Sequence, residues 1–416
     1  MFALRRLLAV GTVLSLLALL ASSHIRGQAG NRTKNLLDST DLQRPNQNIN
    51  LAQRITEELA QSPFRDRPLV LYRTEQGETL MALQVKPQLN KTPIRPRDYL
   101  LLIDTAAHMA GGNLAAARTI VEKLVGQMGA DDKVAVWTVN TRTHDLSQGF
   151  QSNKKLSAAL KKLGEDYPAG AVNLKDALPK AINAFDGKQD RQRLIVFVGS
   201  GQSIAGPMDG ELRATLCRDM VKNQIAFYSV PLGSHLEPYN LHGFANGTGG
   251  KVVRLGLTRD ADQWVKDMRE AAAQPILYDA DIKLPAEVVE RYPTKLPPLR
   301  PDVPTLLVGK FNKAGARYVA KDPTKDEKSG RVIPGKPGDS FTYSLTGKMA
   351  GKTVAVPATS EKSPRADEDN FFLVNMVEQW KAAKDRPALL QADRALAFAY
   401  QRNQMARADL VAQAEW

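Results

Sequence analysis

Few side chains of this 416-residue chain are of types that do chemistry at meaningful spacing. Asp104 and His108 stand four residues apart, and Ser200 sits between Gly199 and Gly201. Imidazole and carboxylate suit Zn²⁺ or Mn²⁺, but no third ligand stands at motif spacing. Ser200 with His108 or His144 and Asp104 has the composition of a nucleophilic triad, yet Val198 and Gln202 occupy the positions where a nucleophile elbow requires glycine. The Gly199-Ser200-Gly201 turn either presents backbone N–H groups to an anion or simply closes a strand. Asp104 can equally cap the helix that follows it. Cys217 is the single cysteine, so no intramolecular disulfide and no cysteine-based zinc or iron–sulfur site can form within this chain.

The elements that must position these residues alternate regularly. Tyr99 to Ile103, Lys133 to Val139, Leu194 to Val198, Ile225 to Val230 and Lys251 to Leu255 read as strands. Helical patterns lie at Leu114 to Met128, Lys154 to Leu163, Leu174 to Phe185, Glu211 to Lys222 and Ala261 to Ala273. Strand–helix alternation predicts a parallel sheet covered on both faces, with its binding crevice beyond the carboxyl ends of the central strands. Asp104 to Gly112, Ala171 to Asn173 and Gly199 to Ser203 would line that crevice.

Asp98-Tyr99-Leu100-Leu101-Leu102-Ile103-Asp104-Thr105-Ala106-Ala107-His108-Met109 resembles the first strand and loop of von Willebrand factor A domains. Gly170-Ala171-Val172-Asn173-Leu174 is similar to the Gly-Thr-Asn/Asp-Leu loop of that family, and Phe197-Val198-Gly199-Ser200-Gly201 to its strand ending in Thr-Asp-Gly. Leu241 to Val253 resembles the approach to its last strand. The resemblance, over 97–273, implies a Mg²⁺ site built from an Asp-x-Ser-x-Ser loop plus a Thr and an Asp, with the partner's carboxylate completing the oxygen shell. Here Asp104 remains, but Ala106 and His108 replace the serines, Val172 the threonine and Ser200 the late aspartate. Ligand count and charge neutralisation both fail, so no metal and no cofactor are expected. Asp104, Ala106, His108, Val172, Asn173 and Ser200 together form the expected degenerate binding crevice.

Outside the A domain, Arg5 and Arg6 precede an apolar run from Leu7 to Ala21, which reads as a signal peptide over 1–23; an uncleaved anchor is the alternative. Residues 24–66 read as a polar linker with a short helix near Leu51, Ile55 and Leu59. Residues 67–94 read as a β-hairpin. Residues 275–357 hold 11 of the 24 prolines among short strand patterns at Ile276 to Leu284, Leu306 to Phe311, Arg317 to Lys321, Phe341 to Leu345 and Thr353 to Val356. This β-sandwich is similar to the segment after the A domain in inter-alpha-trypsin inhibitor heavy chains and related bacterial secreted proteins. The hairpin is expected to complete it, making the A domain an insertion into a split β domain. Two helices are expected over 366–414, with Trp380 packed on the sandwich as the resemblance implies. The fold class is therefore α/β: a doubly wound, mostly parallel, Rossmann-like sheet inserted in or flanked by a small antiparallel β-sandwich, with C-terminal helices.

The balance of 57 basic against 44 acidic residues gives a net charge of +13, which favours acidic partners. With 6% aromatic residues and no basic–aromatic interleaving, nucleic-acid binding is not expected. The expected function is a secreted or periplasmic, envelope-associated, non-enzymatic module that binds a protein partner, with attachment to an acidic envelope polymer as a second contact and no membrane span once the signal is cut. Residual metal-dependent adhesion and a hydrolase using Ser200 are the alternatives.

Overall fold

The structure, a computed structural model, describes residues 68–90, 95–186, 190–233, 235–255, 260–321, 324–325, 332–333 and 335–392. The expected signal peptide, the linker with its short helix, and the C-terminal helix beyond 392 lie outside the described residues. Strands β1 (Leu69–Arg73) and β2 (Thr79–Val85) form the hairpin. Then follow β3 (Arg97–Asp104), α1 (Asn113–Gly126), β4 (Lys133–Val139), β5 (Thr143–Asp145), α2 (Ser157–Glu165), α3 (Leu174–Asn183), β6 (Gln192–Gly199), α4 (Gly210–Lys222), β7 (Ile225–Pro231), α5 (Pro238–Thr248) and α6 (Ala261–Ala273). The remainder holds β8 (Tyr278–Lys283), β9 (Val288–Tyr292), β10 (Thr305–Phe311), the two-residue ladder of β11 (Thr324–Lys325) and β12 (Val332–Ile333), β13 (Phe341–Met349), β14 (Lys352–Glu361), α7 (Phe372–Ala382) and α8 (Pro387–Gln391).

Continuous apolar runs make β3 and β6 strands that are buried on both faces. Because side chains alternate along a strand, Leu101 and Ile103 face α1, α2 and α6, whereas Leu100 and Leu102 face α3, α4 and α5. The sheet order is β5-β4-β3-β6-β7, all pairs parallel except the short edge strand β5. Successive connections leave β3 towards β4 on one side and reach β6 and β7 on the other, so the crevice opens at the carboxyl ends of β3 and β6.

The hairpin pairs with a late strand: β10 runs antiparallel to β2 over Thr305↔Val85 to Phe311↔Thr79, within a sheet ordered β1-β2-β10-β9. A second antiparallel sheet, β14-β13-β8, packs against it around Leu71, Met81, Leu307, Phe311 and Phe341. On the outer face of the first sheet, α7 lays Phe372, Met376 and a fully buried Trp380 against Leu80, Ala82 and Val308. Among the described residues no helix is long and apolar enough to cross a membrane.

Four local expectations are corrected. Leu241 to Val253 does not lead into a strand; its first part belongs to helix α5, and the expected strand Lys251 to Leu255 reduces to one bridge, Val252 to Ser229. The glycines there suggest a breaker, but Gly247 lets the helix close on its neighbours, since a Cβ would stand 2.7 Å from both Cys217 Sγ and Ala388 Cβ. The segment Arg317 to Lys321 is not a strand: a 3₁₀ turn, Lys313–Tyr318, is capped by Asn312 and turns Tyr318 onto Phe311 and Phe341. Strands β5 and β9 were not expected, because short, polar edge strands lack an apolar alternation to read.

A buried guanidinium ties the two parts together. Arg300, 2% exposed, donates from Nη1 to Tyr228 Oη and Gly249 O (both 3.0 Å) and from Nη2 to Ala271 O (2.8 Å). Asp302 answers with both oxygens, at 2.9 Å from Nε and 3.0 Å from Nη2, and also holds Lys251 at 3.2 Å. Burial alone would raise the Asp302 carboxyl, but Arg300 and then Lys251 outweigh it and hold it below the usual carboxylate range. Arg300→Met, which strands the acceptors of β7, α5 and α6, is expected to lower unfolding free energy by about 3 kcal/mol in urea titrations.

A second consequence concerns acid. His242 of α5 is buried, its Nε2 has no hydrogen-bond partner, and burial together with nearby Arg254 lowers its pKa to about 3. Below an unfolded value of about 6.5 the unfolded chain takes up a proton that the native state refuses, so this contribution to stability is intact above that pH and falls as pH drops towards 3. His242→Leu is expected to remove about one proton from the slope, up to ~1.4 kcal/mol per pH unit, in denaturation series between pH 6.5 and 4.

Candidate functional site at the crest of the parallel sheet

Asp104 closes β3 and is fully buried. Its Oδ1 accepts the backbone N–H of Ala106 at 2.9 Å, which turns the chain into the 3₁₀ turn Ala107–Met109. That turn brings His108 back over the carboxylate, where Nε2 lies 2.7 Å from Oδ2. The same oxygen accepts Ser200 N at 3.3 Å and the Ser200 hydroxyl at 3.4 Å. Ser200 is itself buried, and its hydroxyl oxygen accepts Gln202 N at 3.1 Å. Gly199 must lack a side chain, because a Cβ would overlap Asp104 and the ring of Phe197. Gly233 makes room for the imidazole: a Cβ there would stand 3.2 Å from His108 Cδ2 and 3.1 Å from Ser200 Cβ.

Three further loops fix this cluster. Ala107 N donates to Gly170 O at 3.0 Å and Ala169 N to Thr105 O at 2.9 Å, clamping the loop before α3 onto the loop after β3. Val172 is buried, and its carbonyl accepts Ala205 N at 2.9 Å. Asn173 serves as the N-cap of α3, its Oδ1 accepting Asp176 N at 3.1 Å. Glu237 N donates to Ser200 O at 2.8 Å, and Asn240 Nδ2 to Gly201 O at 2.7 Å. Of the six residues picked from sequence, Asp104, His108 and Ser200 form one hydrogen-bonded cluster, Ala106 and Val172 are buried in the apolar core beneath the crest, and Asn173 caps a helix. Glu237 and Asn240 were missed because they lie just before the segment read from Leu241, in a stretch that carries no motif of its own. Asn140, whose Nδ2 lies 3.4 Å from Thr105 Oγ1, was signalled only by an Asn-Thr turn after a strand.

Chemically, the cluster is saturated. The serine hydroxyl points to the carboxylate, and the neighbouring imidazole spends Nε2 on that carboxylate as well, so the hydrogen-bond order needed to activate Ser200 is absent. His144, the other histidine considered, is exposed on edge strand β5 opposite Thr138. Around the buried cluster the crest exposes large apolar side chains: Tyr167 (71% exposed) before Gly170, Ile204 (61%) after β6, and Tyr239 (37%) in the first turn of α5.

The fold agrees with what known proteins show. Residues 99–202, a quarter of the chain, match the family model of the von Willebrand factor type A domain. That domain is a protein-interaction module. Curated relatives include inter-alpha-trypsin inhibitor heavy chain H1 of Bos taurus, 24% identical over 204 residues covering 46% of this chain and 22% of the relative. Heavy chain H3 of Homo sapiens is 21% identical over 208 residues, covering 47% and 23%. The chain thus spans under a quarter of the length of these relatives. Similar solved structures include a von Willebrand factor type A protein from Catenulispora acidiphila (14% identity, TM-score 0.44, 79% of this chain and 84% of that one). The ArnB paralog VWA2 from Sulfolobus acidocaldarius is another (14%, 0.41, 81% and 89%).

The residues present do not fit the divalent cation that the domain family implies. Both Asp104 oxygens are engaged, the imidazole stands on the oxygen that would face the ion, and Ala106 and Val172 offer no side-chain ligand. Among the described residues no three His, Cys, Asp or Glu side chains are grouped to hold a metal. Asp104→Ala would leave the Ser200 amide and the His108 ring without their shared acceptor, and is expected to cost about 2 kcal/mol in urea denaturation; Asp104→Asn, which keeps one oxygen, costs less.

Proposed function

We propose that this chain is an exported, non-enzymatic A-domain module that binds a protein partner at its crest without a divalent ion. The observation that carries the reading is the 2.7 Å contact between His108 Nε2 and Asp104 Oδ2, an imidazole in direct contact with the carboxylate oxygen that would face a cation. With no ion to receive a partner's carboxylate, recognition falls to shape and to the apolar rim of Tyr167, Ile204 and Tyr239. Arg5, Arg6 and the apolar run to Ala21 support export through a cleaved signal over 1–23, placing the module in the periplasm, in the envelope or outside the cell. The pairing of β2 with β10 supports a split β domain, 67–94 with 275–357, into which the A domain of 97–273 is inserted, followed by the helices of 366–414. A net charge of +13 supports a second, electrostatic contact with an acidic envelope polymer.

Melting the purified chain in Mg²⁺, in Mn²⁺ and in EDTA tests the reading. An ion bound to the native state at a hundred times its Kd would add about 2.7 kcal/mol of stability and raise the midpoint. Coincident midpoints are expected. A cation-dependent rise that is lost in Asp104→Asn would return the crest to metal-dependent adhesion.

A further inference from the structure

The short helix α8 stands astride the two parts of the molecule. Ala388 joins the core of Leu241 and Phe244 in the A domain, whereas Leu390 joins Leu306, Val308 and Trp380 on the outer face of the first sandwich sheet. Gln391 keys the helix to β10: its Nε2 donates to Leu306 O at 2.7 Å and its Oε1 accepts Leu306 N at 3.1 Å. β9 pairs with β10 only from Val308 onward, so the side-chain amide stands where a strand would at Leu306. Towards the A domain, α8 covers glycines. A Cβ on Gly247 of α5 would stand 2.7 Å from Ala388 Cβ and from Cys217 Sγ, and one on Gly210 of α4 would stand 2.9 Å from Leu389 Cδ1. An exposed ion pair of Arg386 with Glu211 at 3.3 Å and a bond from Asn246 Nδ2 to Gln391 O at 3.4 Å add to the attachment. The remaining flank is open. Asp385, Pro387 and Ala388 border a cavity of about 690 Å³ that they share with Val221, Leu296 and Pro297. Close-packed interiors hold no void of this size, so α8 lacks support on that side.

We infer that α8 is a releasable latch: it moves off α5 towards the cavity, and its release frees the helix that carries Tyr239 to the crest. Its hold consists of one side-chain amide, an exposed ion pair and a few apolar side chains, so release costs far less than unfolding the chain. Contact with the glycine face of α5 depends on close approach, and a gap of about 1 Å forfeits up to half of the dispersion energy, so the latch is either seated or free. Helix α5 has 11 residues and is about 16 Å long. Its first turn holds the crest, with Glu237 N on Ser200 O at 2.8 Å and Asn240 Nδ2 on Gly201 O at 2.7 Å, while Gly247 near its end meets α8. A shift at one end therefore reaches the other. The inference rests on the crest as the partner-binding surface and assigns that surface its regulation.

Cys217, the single cysteine, reports release directly. It is 5% exposed beside Ala388, and burial pushes its pKa up to about 12, so it reacts only once solvent reaches it. The measurement is the rate at which an aromatic disulfide reagent labels the full chain, at urea concentrations below the unfolding transition. Gln391→Ala and Leu389→Ala, both half-buried positions, loosen the latch. Val121→Ala, in the core on the far face of the parallel sheet, lowers global stability without touching it. Expected are about tenfold faster labelling in each latch variant, little dependence on urea, and a parent-like rate in Val121→Ala. Amide exchange over 237–241 and 200–202 should rise in the two latch variants alone. Labelling that tracks global stability in all three variants overturns the latch, as does one common rate, which would mean that the reagent reaches Cys217 through the cavity. Faster labelling with unchanged exchange at the crest overturns the link through α5. Neither readout needs a metal or a partner, so a cation-dependent melting midpoint would overturn the crest reading and leave the latch standing.

Discussion

A buried carboxylate at the end of a buried strand must find partners, and how Asp104 finds them sets the character of this molecule. Left alone among apolar side chains, an ionised carboxylate costs several kcal/mol. One solution is a divalent cation with a shell of oxygens. Here a tight turn supplies a backbone N–H, the next strand's loop supplies an amide and a hydroxyl, and an imidazole supplies the closing contact. Each partner comes from within the chain, so the crest is complete before anything binds. The glycines at 199 and 233 follow from the same constraint, since an added Cβ at either would press on the cluster.

A second constraint comes from joining an α/β layer to an antiparallel sandwich. The chain leaves the hairpin, builds the parallel sheet, and returns to add β10 beside β2, so both crossings lie at the amino end of β3 and beyond α6. Arg300 sits on the return segment and donates to carbonyls at the ends of α5 and α6, Gly249 O and Ala271 O. Its burial is tolerable because every N–H-bearing nitrogen of the fork has an acceptor and Asp302 supplies the opposite charge. Remove that satisfaction and the seam becomes the weakest part of the structure.

Much of this was legible from residue patterns, for identifiable reasons. Strands β3 and β6 announce themselves because burial on both faces demands uninterrupted apolar runs, and the hairpin by its turn at Gly77. Helix α5 was hidden because its glycines serve close packing on Cys217 and Ala388, a tertiary contact with no local signature. At the crest, residue types were enough to expect too few oxygen ligands around Asp104. They could not show that His108 would fold back onto Asp104, since an i, i+4 spacing puts two residues together only once a turn is known. Nor could they separate Asn173 as a helix cap from a crevice ligand.

At the crest the buried charges are internally matched, so long-range attraction from this cluster is weak. On the reading proposed above, a partner would therefore be selected there by contact with the exposed Tyr167, Ile204 and Tyr239. Such selection acts mostly on dissociation and is little affected by salt.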